Sequence, residues 1–213
     1  MPRADRLTLS AHGLDMPRVD HLSNRGALNV LLDRTVAGVP YAMPSTHTMT
    51  GLFMNFVRLT DKALREYDAA RSELITYLEP SDGLRTGAYL RAIDHVENCV
   101  SACHRAALNA KALRVNRVGR SAPRLTRLQE ERLAHLRNAV EHSDERLLGP
   151  KSKTIPAFSK AEPFSLRLAN SSMMIGHHVL TYKQLVAVMT KNYRTVELSA
   201  ASRPAHPDRS SRT

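Results

Sequence analysis

Tyr89-Leu-Arg-Ala-Ile-Asp-His-Val-Glu-Asn-Cys-Val-Ser-Ala-Cys-His-Arg-Ala-Ala-Leu-Asn-Ala110 is the stretch that decides the fold. Tyr89, Ile93, Val96, Val100, Cys103, Ala107 and Ala110 recur at alternating spacings of four and three. A helix with that repeat carries one apolar seam and packs it against another helix. Such a partner precedes it: Leu52, Phe56, Leu59, Ala63, Ala70, Leu74 and Tyr77 keep to helical spacing, after Thr and Ser residues suited to capping. Pro80-Ser-Asp-Gly83 separates the two as a strong turn. The pattern predicts two long antiparallel helices packed in coiled-coil fashion.

Working outward, Gly119 to Pro123 breaks the chain again, and no Gly or Pro then falls between Leu125 and Leu148. Apolar Leu133, Leu136, Val140 and Leu147 mark a third helix. At about 100° per residue, Leu136, Val140, Ser143 and Leu147 share a stripe that should face the core. Arg137, Asn138 and His142 fall on the other half, with Asn138 one turn below His142. Arginine holds phosphate through a fixed fork of donors. Histidine takes and gives a proton near neutrality. That pairing suits cleavage of an RNA phosphodiester.

Arg137-Asn138, three residues and then His142, late in an all-helical domain, resembles the R-x(4–6)-H signature of the HEPN family. Members often carry a polar residue straight after the Arg, as Asn138 is here. The resemblance spans about residues 46–198, and only the short motif is specific. It implies a metal-independent endoribonuclease acting as a homodimer, the motifs of the two copies meeting across the interface. Arg137 and His142 would be the catalytic pair, with Asn138 and Glu141 supporting them. A toxin or defence effector would be the biological setting, with an antitoxin or regulatory protein as a further partner. Related toxins paired with nucleotidyltransferase antitoxins often carry Tyr two residues after the motif His, where this chain has Asp144.

The competing reading of Arg137 is a surface ion pair with Glu141 four residues on, worth about 0.3–0.5 kcal/mol. The pattern also arises by chance in Arg6 and His12 of the same chain.

Charge points to an anionic partner. Lys and Arg number 31 against 20 Asp and Glu, a net charge of +11. Between Asn98 and Gln129 there is no acid, while Arg105, Lys111, Arg114, Arg117, Arg120, Arg124 and Arg127 are all basic. A solvated face is the plain alternative for any one of them. No aromatic residue interleaves them, so contact with an RNA backbone is expected of Arg105, Lys111, Arg114, Arg117, Arg120 and Arg124 rather than base stacking. DNA binding by the same stretch is a further alternative.

The rest of the chain is less eventful. Of its 213 residues, 42% are hydrophobic, enough for one core and no membrane helix. No secretory signal is evident and the two cysteines are too few for a disulfide framework, so the cytoplasm is the expected compartment. Residues 1–44 read as a poorly ordered extension in which only Ala27–Val36 forms a short helix. With Met43, Met49 and Met54 close behind, one option is a functional start near there. Residues 45–198 are the helical domain. Within it, Phe164–Ala169, Met173–Ile175 and Val179–Leu180 read as a small hairpin around Gly176, His177 and His178. Neighbours on a strand face opposite ways, so at most one of the two histidines meets a given partner. Thr181-Tyr-Lys-Gln184 is a capping box that opens a last helix, and residues 199–213 are a disordered basic tail. His95, Cys99 and Cys103 share a helical face, but the outer two lie about 12 Å apart along the axis and cannot share one metal. With no metal-helix or phosphate-loop motif either, no metal and no cofactor is expected.

The expected architecture is therefore all-α, an antiparallel helical bundle of HEPN-like type with a small β-hairpin before the last helix. The expected function is RNA cleavage. The alternative is a non-catalytic helical module that dimerises or docks protein or nucleic acid.

Overall fold

In the computed structural model, which describes residues 14–37, 46–79, 85–115, 124–141, 166–175 and 178–201, the chain is mostly helical with one small sheet. The order is α1 (Asp20–Ser23), α2 (Ala27–Val36), α3 (His47–Leu78), α4 (Thr86–Val115), α5 (Arg127–Glu141), β1 (Arg167–Leu168), β2 (Ser172–Ile175), β3 (His178–Thr181) and α6 (Tyr182–Ala201).

Thr46 starts α3: its hydroxyl accepts from the Met49 amide at 3.2 Å, satisfying a first-turn donor. Glu79 ends it in an extended conformation, as a residue preceding proline must. α4 then returns antiparallel, and three rungs record the register. His95 Nδ1 lies 2.7 Å from Glu66 Oε2, Arg91 clamps both oxygens of Glu73 at 2.8 and 2.9 Å, and the rings of Tyr89 and Tyr77 sit 5.2 Å apart. The expected seam is present in Phe56, Leu59, Ala63, Ala70 and Leu74 facing Val96, Val100, Cys103, Ala107 and Ala110.

The buried face of α4 is wider than one seam, because α5 and α6 cover its other side. Ala92, Cys99, Ala102 and Ala106 are buried as well. Small side chains at these positions let the helices approach closely. Cys99 and Cys103 are free thiols in this core, and the Cys99 sulfur lies 3.9 Å from the Met189 sulfur of α6.

The sheet has three strands, not the two of a hairpin, in the antiparallel order β1-β2-β3. Met173 pairs with Leu168 on one side and Leu180 on the other. Tyr89 of α4 accepts from the Leu168 amide at 3.1 Å, and Tyr182 donates to the Ala169 carbonyl at 3.0 Å, so the sheet is pinned to the helices. At Thr181 the capping box forms reciprocally: Thr181 N donates to Gln184 Oε1 and Gln184 N to Thr181 Oγ1, both at 3.1 Å.

The leader departs from its reading. Helix α2 occupies Ala27–Val36, but residues 14–37 do not stand apart as an extension. Met16, Val19, Leu22, Ala27, Val30 and Leu31 are buried with the main core. Tyr67 donates to the Pro17 carbonyl at 3.0 Å and Arg71 to the Met16 carbonyl at 3.1 Å. Residues 1–13, 38–45 and 202–213 lie outside the described residues.

Candidate active site between α4 and α5

Helix α5 begins on a second capping box. Thr126 N donates to Gln129 Oε1 at 3.0 Å, and Gln129 N donates to Thr126 Oγ1 at 3.2 Å. Gln129 also accepts from Lys191 of α6 at 2.9 Å, which fixes the rotation of α5 about its axis. Leu133, Leu136 and Ala139 are then buried, while Val140, expected on the core stripe, is only partly so. A third anchor is the stack of His135 on His178 of β3, with ring centroids 5.0 Å apart and planes within 12°. His178 thus meets α5; His177 lies outside the described residues.

With that rotation set, Arg137 and Asn138 are half-buried along α4 rather than turned fully outward. Arg137 forms an ion pair with Glu141 one turn on. Its Nη1 also donates to Asn138 Oδ1 at 3.4 Å, a long contact. Among the described residues, its Nε is buried with no hydrogen-bond partner. Arg137, Asn138 and Glu141 are therefore brought together, and His142, Ser143 and Leu147 lie outside the described residues.

The structure adds a residue that the motif does not contain. His104 of α4 comes close enough to Arg137 and Glu141 for their charges to act on it. Burial pushes its pKa down, the Arg137 charge pushes the same way, Glu141 opposes, and Arg105 again lowers it. Its Nδ1, like Arg137 Nε, is buried and, among the described residues, unpartnered. A neutral imidazole beside an arginine with a spare donor is a pairing suited to an anion and a proton in one place. The only sequence signal for His104 is its position off the α3-facing seam, at the start of the acid-free stretch.

Next to His104 a cleft of about 220 Å³ runs between the two helices. Ala107, Leu108, Leu133 and Ala134 form apolar walls, and Lys111, Glu130 and Glu131 supply charge.

The other basic residues separate into groups. Arg105 and Lys111 are exposed on α4, and Lys111 reaches the cleft. Arg114 is half-buried and its pKa is lowered by burial first and then by Arg124, with Glu130 opposing, so these three sit together. Arg117 and Arg120 lie outside the described residues. His95, tested above as a ligand, is instead taken up by Glu66. Among the described residues, no group of three His, Cys, Asp or Glu side chains is placed to hold a metal ion, and no helix is long and apolar enough to cross a membrane.

No family model, characterised protein or solved structure matches this chain.

Proposed function

We propose that the chain is a metal-independent endoribonuclease of HEPN type that acts as a homodimer. The observation carrying this reading is Arg137, held half-buried beside Asn138, its Nε unpartnered among the described residues, and close enough to His104 for its charge to act on that ring. In the reaction, the ribose 2′-hydroxyl loses its proton to an imidazole and attacks the adjacent phosphorus. The bond from phosphorus to the 5′-oxygen breaks, and that oxygen takes a proton as it leaves. The products are a 2′,3′-cyclic phosphate and a 5′-hydroxyl. His142 is the proton carrier in this reading, a role typically worth about 10²–10⁴-fold. Arg137 neutralises charge developing on the phosphate, and Asn138 hydrogen-bonds His142 or a phosphate oxygen. The nucleophile belongs to the substrate, so the step needs no metal, and DNA survives.

The test is incubation of the purified chain with mixed RNA and with DNA in EDTA, beside His142→Ala and Arg137→Ala. RNA cleavage to cyclic-phosphate ends, lost in both variants, supports the reading. Intact RNA with the unaltered chain rejects it.

A second reading, a non-catalytic helical module that dimerises or docks protein or nucleic acid, is favoured by one observation. Leu108 and Val115, two turns apart on α4, are 53% and 79% exposed. Partner or RNA binding that ignores both motif variants, with no cleavage, selects it.

A further inference from the structure

We infer that the cleft between α4 and α5 is a nucleobase pocket with a preference for guanine, set beside the Arg137 site. The inference takes its orientation, base in the cleft and phosphate at Arg137, from the ribonuclease reading.

Size comes first. A cleft of about 220 Å³ walled by Ala107, Leu108 and Ala134 takes one ring system, not a folded oligonucleotide. Its walls offer apolar contact to the faces of a planar ring, and its charged groups are left for the ring's edge. Those groups are a carboxylate, Glu130, and an ammonium, Lys111, from facing helices. Glu131, the other acid of the cleft, is engaged by Arg127 at 2.7 Å.

Guanine complements that pair best. Its N1–H and exocyclic N2–H₂ are adjacent donors that a single carboxylate accepts together. Its O6 and N7 are acceptors suited to a lysine. Adenine and cytosine set a donor next to an acceptor, so a carboxylate meets one of their edge atoms with repulsion. Uracil has a single donor between two acceptors. A site built on matched hydrogen bonds discriminates because the wrong base turns an acceptor toward the Glu130 carboxylate or a donor toward the Lys111 ammonium.

Placement then ties the cleft to the phosphate site. Glu130 and Arg137 are seven residues apart, which puts them on one face of α5, two turns and about 10.5 Å along its axis. His104 lines the cleft and is close enough to Arg137 for that charge to act on it. A base edge on Glu130 and its phosphate toward Arg137 thus follow a single helical stripe.

The experiment is calorimetric titration of the full chain with GMP, AMP, CMP and UMP in EDTA, with RNA cleavage followed in parallel. GMP is expected to bind at least tenfold tighter than the other three. Glu130→Gln, which keeps size and loses one acceptor, should bring GMP within about twofold of AMP. Lys111→Ala should weaken GMP several-fold, and thermal melts establish that both variants fold. Equal binding of the four nucleotides, no binding of any, or a GMP preference that persists in E130Q overturns the pocket. RNA cleavage without GMP preference overturns the pocket and leaves the ribonuclease standing. GMP preference without any RNA cleavage keeps a guanine-nucleotide site and ends the ribonuclease reading.

Discussion

Glu141 holds the Arg137 guanidinium across one turn of α5, with 29% of the arginine side chain and 32% of the glutamate side chain exposed. A pair this accessible is worth about 0.3–0.5 kcal/mol, roughly a twofold change in an equilibrium. A bound phosphate must compete with Glu141 for the same donors. Glu141→Gln is therefore expected to raise RNA affinity about twofold and to leave the melting temperature almost unchanged. Arg137→Ala should abolish the binding increment and the cleavage. Filter binding of the two variants to one RNA checks this. Equal affinity in both would reduce Arg137 to a surface ion pair.

His104 gives a stability signature. Its folded pKa lies below the ordinary histidine value of 6.5, chiefly because burial disfavours the charged ring, with the Arg137 charge adding to it and Glu141 opposing. Below 6.5 the unfolded chain binds a proton that the folded chain resists, so stability is present above that pH. It falls as pH drops through 6.5 and stops falling at the lowered folded value. His104→Gln should flatten this part of the curve. Urea midpoints of the two proteins at pH 7.5 and 5.5 measure it: a drop on acidification that is the same size in both would remove His104 as its source.

The parts of the fold that were legible are those specified locally. The seam through Val96, Val100 and Cys103 and the box at Thr181 and Gln184 each need only a few neighbouring residues, and both formed. Thr126-Arg-Leu-Gln129 carries the same box and went unread, though it is what starts the helix of the candidate site. Residues 14–37 were opaque for a different reason. Met16, Val19 and Leu22 are three apolar residues in a stretch broken by Gly13, Pro17 and Gly26, and what fixes it is Tyr67 and Arg71 bonding to Pro17 and Met16 from fifty or more residues away. His104 is illegible in the same sense. One imidazole on a long helix has no meaning until α5 brings the charges of Arg137 and Glu141 to bear on it.

The join between the leader and the main bundle rests on Asp61. Its two oxygens accept from the backbone amides of Ala27 and Leu28, the latter at 3.0 Å, so a nearly buried carboxylate on α3 caps the first turn of α2. Gly26 permits the approach by taking φ +62°, where a side chain would be strained. Asp61→Ala removes the cap and leaves the buried Ala27 amide unpaired, at a cost of about 2 kcal/mol. Asp61→Asn should cost less, since it keeps one acceptor. Urea unfolding gives the size, and hydrogen exchange gives the place: protection should fall first at the amides of residues 27–31. Uniform loss of protection along α3 and α4 would show that Asp61 supports the whole bundle instead.

Salt dependence separates cations that touch nucleic acid from those that serve the fold. Each phosphate neutralised on single-stranded RNA contributes about −0.7 to the slope of log affinity against log salt. Lys111 and Arg105 are exposed on α4, and Arg124 is exposed where it crowds Arg114. Two like charges held together gain most from an arriving phosphate, because it relieves their repulsion. Arg105→Ala and Arg124→Ala are each expected to flatten the slope by about 0.7. Arg91 is the control: Glu73 already accepts from it at 2.8 and 2.9 Å, so its charge is spent within the molecule. Arg91→Ala should leave the slope as it was. A slope that changes equally in all three variants would mean that RNA senses only the net charge of the chain, and the assignment of Arg105 and Arg124 to the RNA backbone would fail.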